Sequence, residues 1–275
     1  MSKAQVRELP RLPRRADFVS FSGVTKIFGE AMLAVRDINL TVAEGEFITI
    51  VGPSGCGKST LLNMTAGLFG PTEGSVAYGG KPVEGINTSV GYMTQTDHLM
   101  DWRTIARNVA LPLEIRRKPK ALITETVKFW LEAVGLTGFE NSYPTQLSGG
   151  MRKRAALARL LAYDPETLLM DEPFGALDAQ LRLTLQTELR QLCRRLGKTV
   201  LFVTHDIDEA IALGDRCVVF TERPGHIREI IEVNLPRDRD LRALRGNADY
   251  LAECHRLWEL LAPAMEAQTA LEGKR

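Results

Sequence analysis

Long hydrophobic runs are missing from this sequence: no apolar stretch approaches the roughly 18 residues that a membrane-spanning helix requires. Cysteine is scarce as well, because the chain has only Cys56, Cys193, Cys217 and Cys254, without a CxxC pair or the spacing of a zinc site. This usage excludes a disulfide framework and favours a reducing compartment. If the protein works at a membrane, it must do so through a partner.

An excess of charge of one sign is also missing, since 35 lysines and arginines face 34 aspartates and glutamates and the formal net charge is +1. Nothing in this balance calls for nucleic acid as a partner. Basic clusters at 152–154, 194–195 and 237–245 are interpreted as solvated faces, or as faces near anionic lipid. With 44% hydrophobic and 25% charged residues, the 275-residue chain is typical of one large globular domain, alone or with an appendage.

What the sequence does contain is a phosphate-binding pattern, because residues 52–59 match G-x-x-x-x-G-K-[ST] at every position. The apolar run Phe47–Val51 before it predicts a buried strand, and Ser59–Met64 predicts the start of a helix. A strand, a glycine-rich turn and a helix start gather backbone N–H groups around a polyphosphate. We expect Lys58 to reach the terminal phosphates and the Ser59 hydroxyl to face Mg²⁺. The pattern predicts binding of a nucleoside triphosphate.

Two adjacent carboxylates form a second candidate site. The apolar run Leu168–Met170 predicts a strand that ends in Asp171 and Glu172. We expect Asp171 to hold Mg²⁺, through water, and Glu172 to orient and polarise the attacking water as a general base. Strand ends often carry acids, so this pair predicts a catalytic site only in combination with the phosphate loop.

A third segment, Leu147–Met151, carries Ser148, Gly149 and Gly150 at the start of a predicted buried helix. A serine and two glycines at a helix N-terminus favour anion binding. An ordinary helix start with Ser148 as N-cap is the alternative. If the segment does bind an anion, one chain offers two phosphate-binding surfaces.

Alternating strand and helix signals predict a parallel sheet, with a helical block between Trp102 and Ala162 inserted into it. The half-buried pattern of Ile38–Val42 predicts an antiparallel strand near the start. An amphipathic helix is predicted at 247–262, with Leu251, Cys254, Leu257, Trp258 and Leu261 on one stripe and its end at Pro263.

Six segments in this order and spacing resemble the nucleotide-binding subunit of ATP-binding cassette (ABC) transporters. The segments are Gly52–Thr60, Gln95, Leu147–Met151, Leu168–Glu172, Phe174–Asp178 and His205. The resemblance covers roughly Phe18 to Pro236. It implies an α/β fold, in which a P-loop NTPase core with a mostly parallel sheet carries an antiparallel β subdomain and an inserted all-helical subdomain. In that family two cassettes pair head to tail, and each ATP lies between the phosphate loop of one protomer and the LSGG segment of the other.

The resemblance also implies a role for each matching position. Phe28 matches the aromatic residue that stacks on adenine, Gln95 the glutamine that contacts Mg²⁺, Asp178 the loop that crosses the dimer, and His205 the histidine that touches the γ-phosphate. The implied ATP-binding residues are Phe28, Gly52, Pro53, Ser54, Gly55, Cys56, Gly57, Lys58, Ser59, Thr60, Ser148, Gly149, Gly150 and Asp178. The implied Mg²⁺ ligands are Ser59, Gln95 and Asp171, and the implied catalytic residues are Glu172, His205 and Gln95. The sequence departs from the family in Met151, where glutamine is usual, and in Phe28, where tyrosine is commoner.

Within the family, the stretches at 171–178, 204–210 and 223–227 resemble the branch that imports nitrate, sulfonates and taurine. That implies an ATPase that energises solute uptake. Its implied partners are a second cassette, integral membrane permease subunits and a periplasmic solute-binding protein, without nucleic acid. The implied location is peripheral, on the cytoplasmic face of the bacterial inner membrane. Two alternatives stay open: a lipid-trafficking cassette, and, more remotely, a soluble ABC ATPase that acts on nucleic acid or ribosomes.

Three regions are expected from these patterns: a flexible arm at 1–17, the ATPase domain at 18–236 with a helical subdomain at about 96–162, and a helical extension at 237–275. The role of Trp102 is left open between the core of the helical block and a partner contact.

Overall fold

The computed structural model describes residues 15–175 and 177–272, with side chains described up to residue 262. The expected flexible arm at 1–17 therefore lies almost wholly outside the described residues.

The strands of the described residues form two sheets. They are β1 (Val19–Phe28), β2 (Met32–Val42), β3 (Phe47–Val51), β4 (Glu73–Tyr78), β5 (Lys81–Pro82), β6 (Val90–Met93), β7 (Thr167–Asp171), β8 (Thr199–Val203), β9 (Arg216–Phe220) and β10 (Ile227–Glu232). The first sheet, in the order β2-β1-β4-β5, is antiparallel. The second has the order β10-β9-β3-β8-β7-β6, and every neighbouring pair in it except β10 with β9 is parallel. The predicted fold class is confirmed.

The helices are α1 (Lys58–Thr65), α2 (Ile105–Ile115), α3 (Lys120–Ala133), α4 (Gly149–Tyr163), α5 (Ala179–Leu196), α6 (Ile207–Leu213) and α7 (Ala248–Glu272). Between β6 and β7, α2, α3 and α4 form the helical block that the sequence predicted. Helix α3 ends at Ala133, and Gly135 adopts a φ of 65° directly after the cap residue Val134. The block therefore leaves the sheet after β6 and returns to it at β7.

The strands β3, β7 and β8 have five residues each, and all of these residues are buried. Their side chains alternate between two cores, one on each face of the sheet. Phe47, Val200 and Phe202 face the core that contains the helical block and α5, whereas Ile48 and Leu201 face the core that contains α1 and the antiparallel sheet. Successive side chains of a strand point to opposite faces, so a sheet covered on both faces needs apolar residues at both parities.

The structure decides the open question about Trp102 and corrects the expectation for the basic cluster at 152–154. The side chain of Trp102 is 77% exposed, which excludes a place in the core of the helical block. The cluster 152–154 is not a solvated face, because Lys153 donates to the Gln95 carbonyl and Arg154 donates to the carbonyls of Val134 and Gly135 at the end of α3. Carbonyls left without partners at helix ends attract such donors, and spacing alone cannot reveal that.

The C-terminal helix also differs from the prediction. Helix α7 continues through Pro263 to Glu272, since a proline removes one backbone hydrogen bond and the residues after it are good helix formers. Leu251 and Trp258 are each 53% exposed, so the predicted stripe is only partly the packed face. Leu257 and Leu261 of the stripe are buried, and so is Tyr250, which the predicted stripe did not include.

The turn between α6 and β9 contains a buried ion pair. Asp215 accepts hydrogen bonds from the Arg190 guanidinium at 2.8 Å and from the Phe47 amide at 3.0 Å, and its side chain is 17% exposed. Burial disfavours the charge of Asp215, but the Arg190 guanidinium and the Phe47 amide outweigh it and hold the pKa of Asp215 below its ordinary value. The pair therefore ties α5 and the start of β3 to this turn.

We expect Asp215→Asn to lower the free energy of unfolding at neutral pH by about 3 kcal/mol, because it leaves Arg190 buried without its counter-charge. A carboxyl group with a depressed pKa stabilises the fold at neutral pH, and this contribution is lost as the pH falls below the ordinary carboxyl pKa of about 4. The difference between wild type and variant should therefore shrink in acid, as denaturant unfolding at several pH values would measure.

The matched control is Asp238→Asn, because Asp238 pairs with Arg194 at 2.7 Å but is 89% exposed. We expect this variant to stay within about 0.5 kcal/mol of wild type. Equal losses in the two variants, or a loss at Asp215 that does not depend on pH, would contradict the assignment.

Candidate active site

The carboxyl ends of four parallel strands meet at one edge of the second sheet, and the predicted site residues follow them. A cavity of about 350 Å³ lies at this edge. Its lining residues are Phe28, Met32, Ala34, Ser54, Gly55, Gly57, Lys58, Ser59, Thr60, Gln95, Asp171, Glu172, Val203 and Arg223. The fold thus brings together the candidate aromatic residue, the phosphate loop, the glutamine and both carboxylates. Open α/β sheets bind ligands in this position.

Two glycines of the phosphate loop are required by close contacts of the backbone. Gly57 has a φ of 105°, and a Cβ there would lie 2.4 Å from Cγ1 of Val35. A Cβ on Gly52 would lie 2.8 Å from Cβ of Phe220. The loop can therefore keep this course only with glycine at both positions, and its backbone stays open toward the cavity.

Lys58 begins α1 and is buried. Its ammonium group donates to the carbonyls of Gly52 and Pro53, each at 2.8 Å, so a positive charge sits inside the loop. The Cys56 thiol, also buried, lies 3.8 Å from this ammonium group. Burial raises the pKa of the Cys56 thiol and outweighs the opposing effect of Lys58.

The carboxylates at the end of β7 differ in surroundings. Asp171 is the last residue of the strand and is buried. Burial raises the pKa of Asp171, and the charge of Glu172 raises it further, whereas a hydrogen bond from the Ser59 hydroxyl lowers it. Glu172 has a φ of 49°, a conformation that non-glycine residues rarely adopt, and its amide donates to the Val203 carbonyl at 3.0 Å. This unusual backbone turns the Glu172 side chain into the cavity.

His205 lies next to Glu172 although the two follow different strands. Its Nδ1 is 3.3 Å from Oε2 of Glu172, and its side chain is largely exposed. The contact arises because β7 and β8 are parallel neighbours with Asp171 opposite Val203. A carboxylate and an imidazole at this distance can share or transfer a proton.

Gln95 is held by the helix that carries the LSGG segment. Lys153 of α4 donates to the Gln95 carbonyl, and Arg152 forms an ion pair with Asp97 at 3.1 Å. Arg159, also on α4, donates to the carbonyls of Asp97 and His98 at 2.8 Å. The loop at 95–98 and α4 are therefore joined by three cations.

Ser148 and Asp178 do not line the cavity of their own chain. Ser148 is the N-cap of α4 and accepts from the Met151 amide at 3.3 Å, and Asp178 is the N-cap of α5 and accepts from the Leu181 amide at 2.9 Å. Ser148, Gly149 and Asp178 are all exposed. Both the capping role and an exposed helix N-terminus are thus present in the structure.

Sequence reasoning missed four lining residues, Met32, Ala34, Val203 and Arg223. Arg223 lies in the loop after β9 and its Nε donates to the Leu33 carbonyl at 3.2 Å, which brings the loop against the start of β2. Arg223 belongs to the stretch 223–227, which the family resemblance marked without giving it a role at the site, and no motif marks the other three. Met32 and Ala34 lie on β2 and Val203 ends β8, so they meet at the cavity only because the two sheets pack together. Arg223 adds a positive charge to the cavity wall.

The residues at the cavity suit a phosphate-bound divalent cation. Within 15–175 and 177–272, no group of three or more His, Cys, Asp or Glu is placed to hold a metal ion by itself. Ser59, Asp171 and Gln95 instead offer a hydroxyl, a carboxylate and an amide oxygen at the cavity. Mg²⁺ in nucleotide sites is bound by one or two such oxygens together with phosphate.

None of the helices in the described part of the chain has the length and apolar character needed to cross a membrane.

Comparison with known proteins adds to this geometry. The family model described as ABC transporter matches residues 35–175. The chain is 50% identical over 236 residues to an uncharacterized ABC transporter ATP-binding protein of Methanocaldococcus jannaschii, with 85% of this chain and 88% of that protein covered. It is 42% identical over 229 residues to the taurine import ATP-binding protein of Pelagibacter ubique (82% and 86% covered). It is 45% identical over 224 residues to an aliphatic sulfonates import ATP-binding protein of Bacillus cereus (80% and 88% covered).

A solved structure shows the same fold. It is a dimeric, post-hydrolysis state of an ATP-binding cassette bound to ADP and Pi, which matches with a TM-score of 0.73 and 33% identity over 79% of this chain and 100% of that one. The family model, the relatives and the shared fold agree with the motif order and with the convergence of these motifs at one cavity. The chain therefore belongs to the ABC transporter family.

Proposed function

We propose that this chain is the ATP-hydrolysing subunit of an ABC importer, which energises uptake of a small solute such as nitrate, a sulfonate or taurine through separate membrane subunits. The observation that carries the proposal is the single cavity that gathers the phosphate loop, Gln95, Asp171 and Glu172, with His205 in contact with Glu172. ABC transporter ATP-binding proteins are ATPases, so the enzymatic activity follows from the family.

In the proposed site, Phe28 stacks on adenine and residues 52–60 bind the phosphates, with Lys58 at the β- and γ-phosphates. Ser59, Asp171 and Gln95 hold Mg²⁺, which neutralises charge that develops on the phosphates. Glu172 is the general base for the attacking water, and His205 contacts the γ-phosphate. The burial of Asp171 and the direct contact of Glu172 with His205 support this division of roles.

The site is completed by a second copy of the chain. Ser148, Gly149 and Gly150 stand at the N-terminus of α4, away from the cavity of their own protomer, and Asp178 is exposed. A homodimer would place these residues against the ATP of the partner, as the dimeric state of the similar cassette structure suggests.

A second surface supports the proposal of a membrane partner. A cavity of about 280 Å³ lies between the loop after β6 and α2, and Asp97, Pro112 and Ile115 are among its lining residues. Ile115, the last residue of α2, and Trp102, which lies just before the start of α2, are both exposed. A largely apolar cleft joined to the loop of Gln95 suits permease subunits and supports a peripheral location on the cytoplasmic face of the inner membrane.

The substrate branch and the remaining partner rest on the relatives. Proteins named for import of taurine and of aliphatic sulfonates are 42% and 45% identical to this chain. A periplasmic solute-binding protein would deliver the solute.

The domain division is likewise proposed: an arm at 1–17, the ATPase domain at 18–236 with a helical subdomain at about 96–162, and an extension at 237–275. The internal contacts of 152–154 disfavour nucleic acid as a partner.

We expect Glu172→Gln to bind ATP but to hydrolyse it about a hundredfold more slowly or worse, because the amide keeps the shape and loses the base. It should accumulate as a dimer with trapped ATP.

Lys58→Ala should instead lose ATP affinity, since the positive charge that contacts the phosphates is removed. Single-turnover hydrolysis, titration with a fluorescent ATP analogue and sizing with ATP measure these effects.

Glu125→Gln, on the exposed side of α3, is the control and should behave as wild type. Near-normal hydrolysis in Glu172→Gln would remove Glu172 from the mechanism. Unchanged affinity in Lys58→Ala would mean that the loop is not the phosphate site.

We expect Ser148→Arg to leave ATP binding by the monomer intact and to block ATP-induced dimerisation, because a bulky side chain at the start of α4 collides with the partner's phosphate. Light scattering with and without ATP measures this. Thr124→Arg, exposed on α3, is the matched control and should dimerise normally. If Ser148→Arg dimerises and hydrolyses ATP normally, the LSGG segment is only a helix cap.

The transport proposal is tested with the chain and its permease subunits in lipid vesicles, with ATP on the side of the cassette and the solute-binding protein on the other. We expect ATP-dependent uptake of labelled taurine, an alkylsulfonate or nitrate, and none with Lys58→Ala. Movement of labelled lipid without solute uptake would favour a lipid-trafficking cassette. Binding to duplex DNA or ribosomes at physiological salt would favour the nucleic-acid class.

A further inference from the structure

His205 lies between the end of β8, whose register brings it to Glu172, and the start of α6, which fixes the chain after it. The helix begins at Ile207, with Asp206 as its N-cap, directly after His205 and the end of β8. It has seven residues, too few for a helix that is stable by itself. The position of the imidazole next to Glu172 therefore depends on whatever holds this short helix in place.

The C-terminal end of α6 is held by Arg239, from the extension after β10. The Nε of Arg239 donates to the Ala212 carbonyl at 2.7 Å, and its Nη2 donates to the carbonyls of Ile211 and Gly214. Arg239 is 8% exposed. Its guanidinium group satisfies carbonyls that a helix end leaves without partners and places positive charge at the negative end of the helix dipole.

The first turn of α6 is held by Tyr250, from the first turn of α7. The Tyr250 hydroxyl donates to Oδ1 of Asp208 at 2.8 Å, and its ring is 4% exposed. Burial and the acceptor Asp208 raise the pKa of Tyr250, so the phenol keeps the proton that it donates. Asp208 lies three residues after His205.

Helix α7 can serve as a support because it is fixed independently on β10. Arg256 forms an ion pair with Glu229 at 2.6 Å, and Arg228 donates to the Leu260 carbonyl at 2.7 Å. Leu257 is fully buried between these contacts. The support for α6 therefore extends from the sheet through α7 to Asp208.

We propose that Tyr250 is a positioning residue for ATP hydrolysis: through Asp208 it holds the first turn of α6, and with it His205, against Glu172. The proposal rests on the proposed function, because it takes Glu172 and His205 as the catalytic pair. It gives the extension at 237–275 a role beyond packing. Arg239 clamps the other end of the same helix.

The experiment compares steady-state ATP hydrolysis and ATP affinity in full-length variants. We expect Tyr250→Phe to lower kcat about fivefold, the factor that corresponds to one hydrogen bond of ordinary strength, with ATP affinity unchanged. Asp208→Ala should show the same loss, and Asp208→Asn, which keeps an acceptor oxygen, should restore activity. The double variant Tyr250→Phe/Asp208→Ala should be no slower than either single variant.

The control is Tyr78→Phe, because the Tyr78 hydroxyl also forms a part-buried hydrogen bond, with Thr167 at 2.8 Å, that does not involve α6. It should cost similar stability and leave kcat unchanged. Equal loss of kcat in both tyrosine variants, or losses that multiply in the double variant, would overturn the proposal. If Tyr250→Phe folds poorly, Asp208→Ala and Asp208→Asn decide the question, because Asp208 is exposed and its substitution should not disturb the fold. Full kcat in Asp208→Ala would overturn the proposal.

Failure of this proposal can be distinguished from failure of the proposed function. If Glu172→Gln is inactive while Tyr250→Phe and Asp208→Ala keep full kcat, only the positioning role is wrong. If Glu172→Gln hydrolyses ATP normally, the catalytic pair itself is wrong, and with it the proposed function of the site.

Discussion

Parallel pairing of β3, β8, β7 and β6 is the constraint on which the site depends. It aligns four carboxyl ends at one edge of the sheet, and each end is followed by a different candidate group: the phosphate loop, His205, the Asp171–Glu172 pair and Gln95. The register puts Asp171 opposite Val203 and Met93 opposite Met170. Groups that are far apart in sequence thus come within hydrogen-bonding range without any of them having to direct the fold.

Cations inside the protein connect this edge to the helical block. Lys153 and Arg159 of α4 bind carbonyls of the loop at 95–98, and the same helix begins at the exposed Ser148. Hydrogen bonds from charged groups are among the stronger ones, so the loop and the helix are expected to move together. Under the proposed function, a displacement of the Gln95 loop by a membrane partner would carry the LSGG segment with it.

A second set of polar contacts connects α5 and α6. Gln186 donates to Oε1 of the buried Glu209 at 2.8 Å, and the Thr204 hydroxyl donates to its other oxygen. Burial raises the pKa of Glu209, and the two donors oppose that shift. Arg182 forms an ion pair with Asp206 at 3.3 Å. Because α5 begins at Asp178 and α6 follows His205, these contacts join the proposed dimer-crossing loop to the proposed γ-phosphate contact.

The sequence by itself determined the strand at 47–51, the strand that ends in Asp171, the phosphate loop and the fold class, because local spacing, glycine and strand-length apolar runs carry that information. Tertiary structure alone decided that Met32 and Arg223 line the cavity, that Trp102 is exposed and that the cluster 152–154 binds internal carbonyls. It also decided that Tyr250 meets Asp208, 42 residues earlier in the chain. The partner of a cation, a hydroxyl or an exposed ring is set by which elements pack together, and no local pattern records that choice.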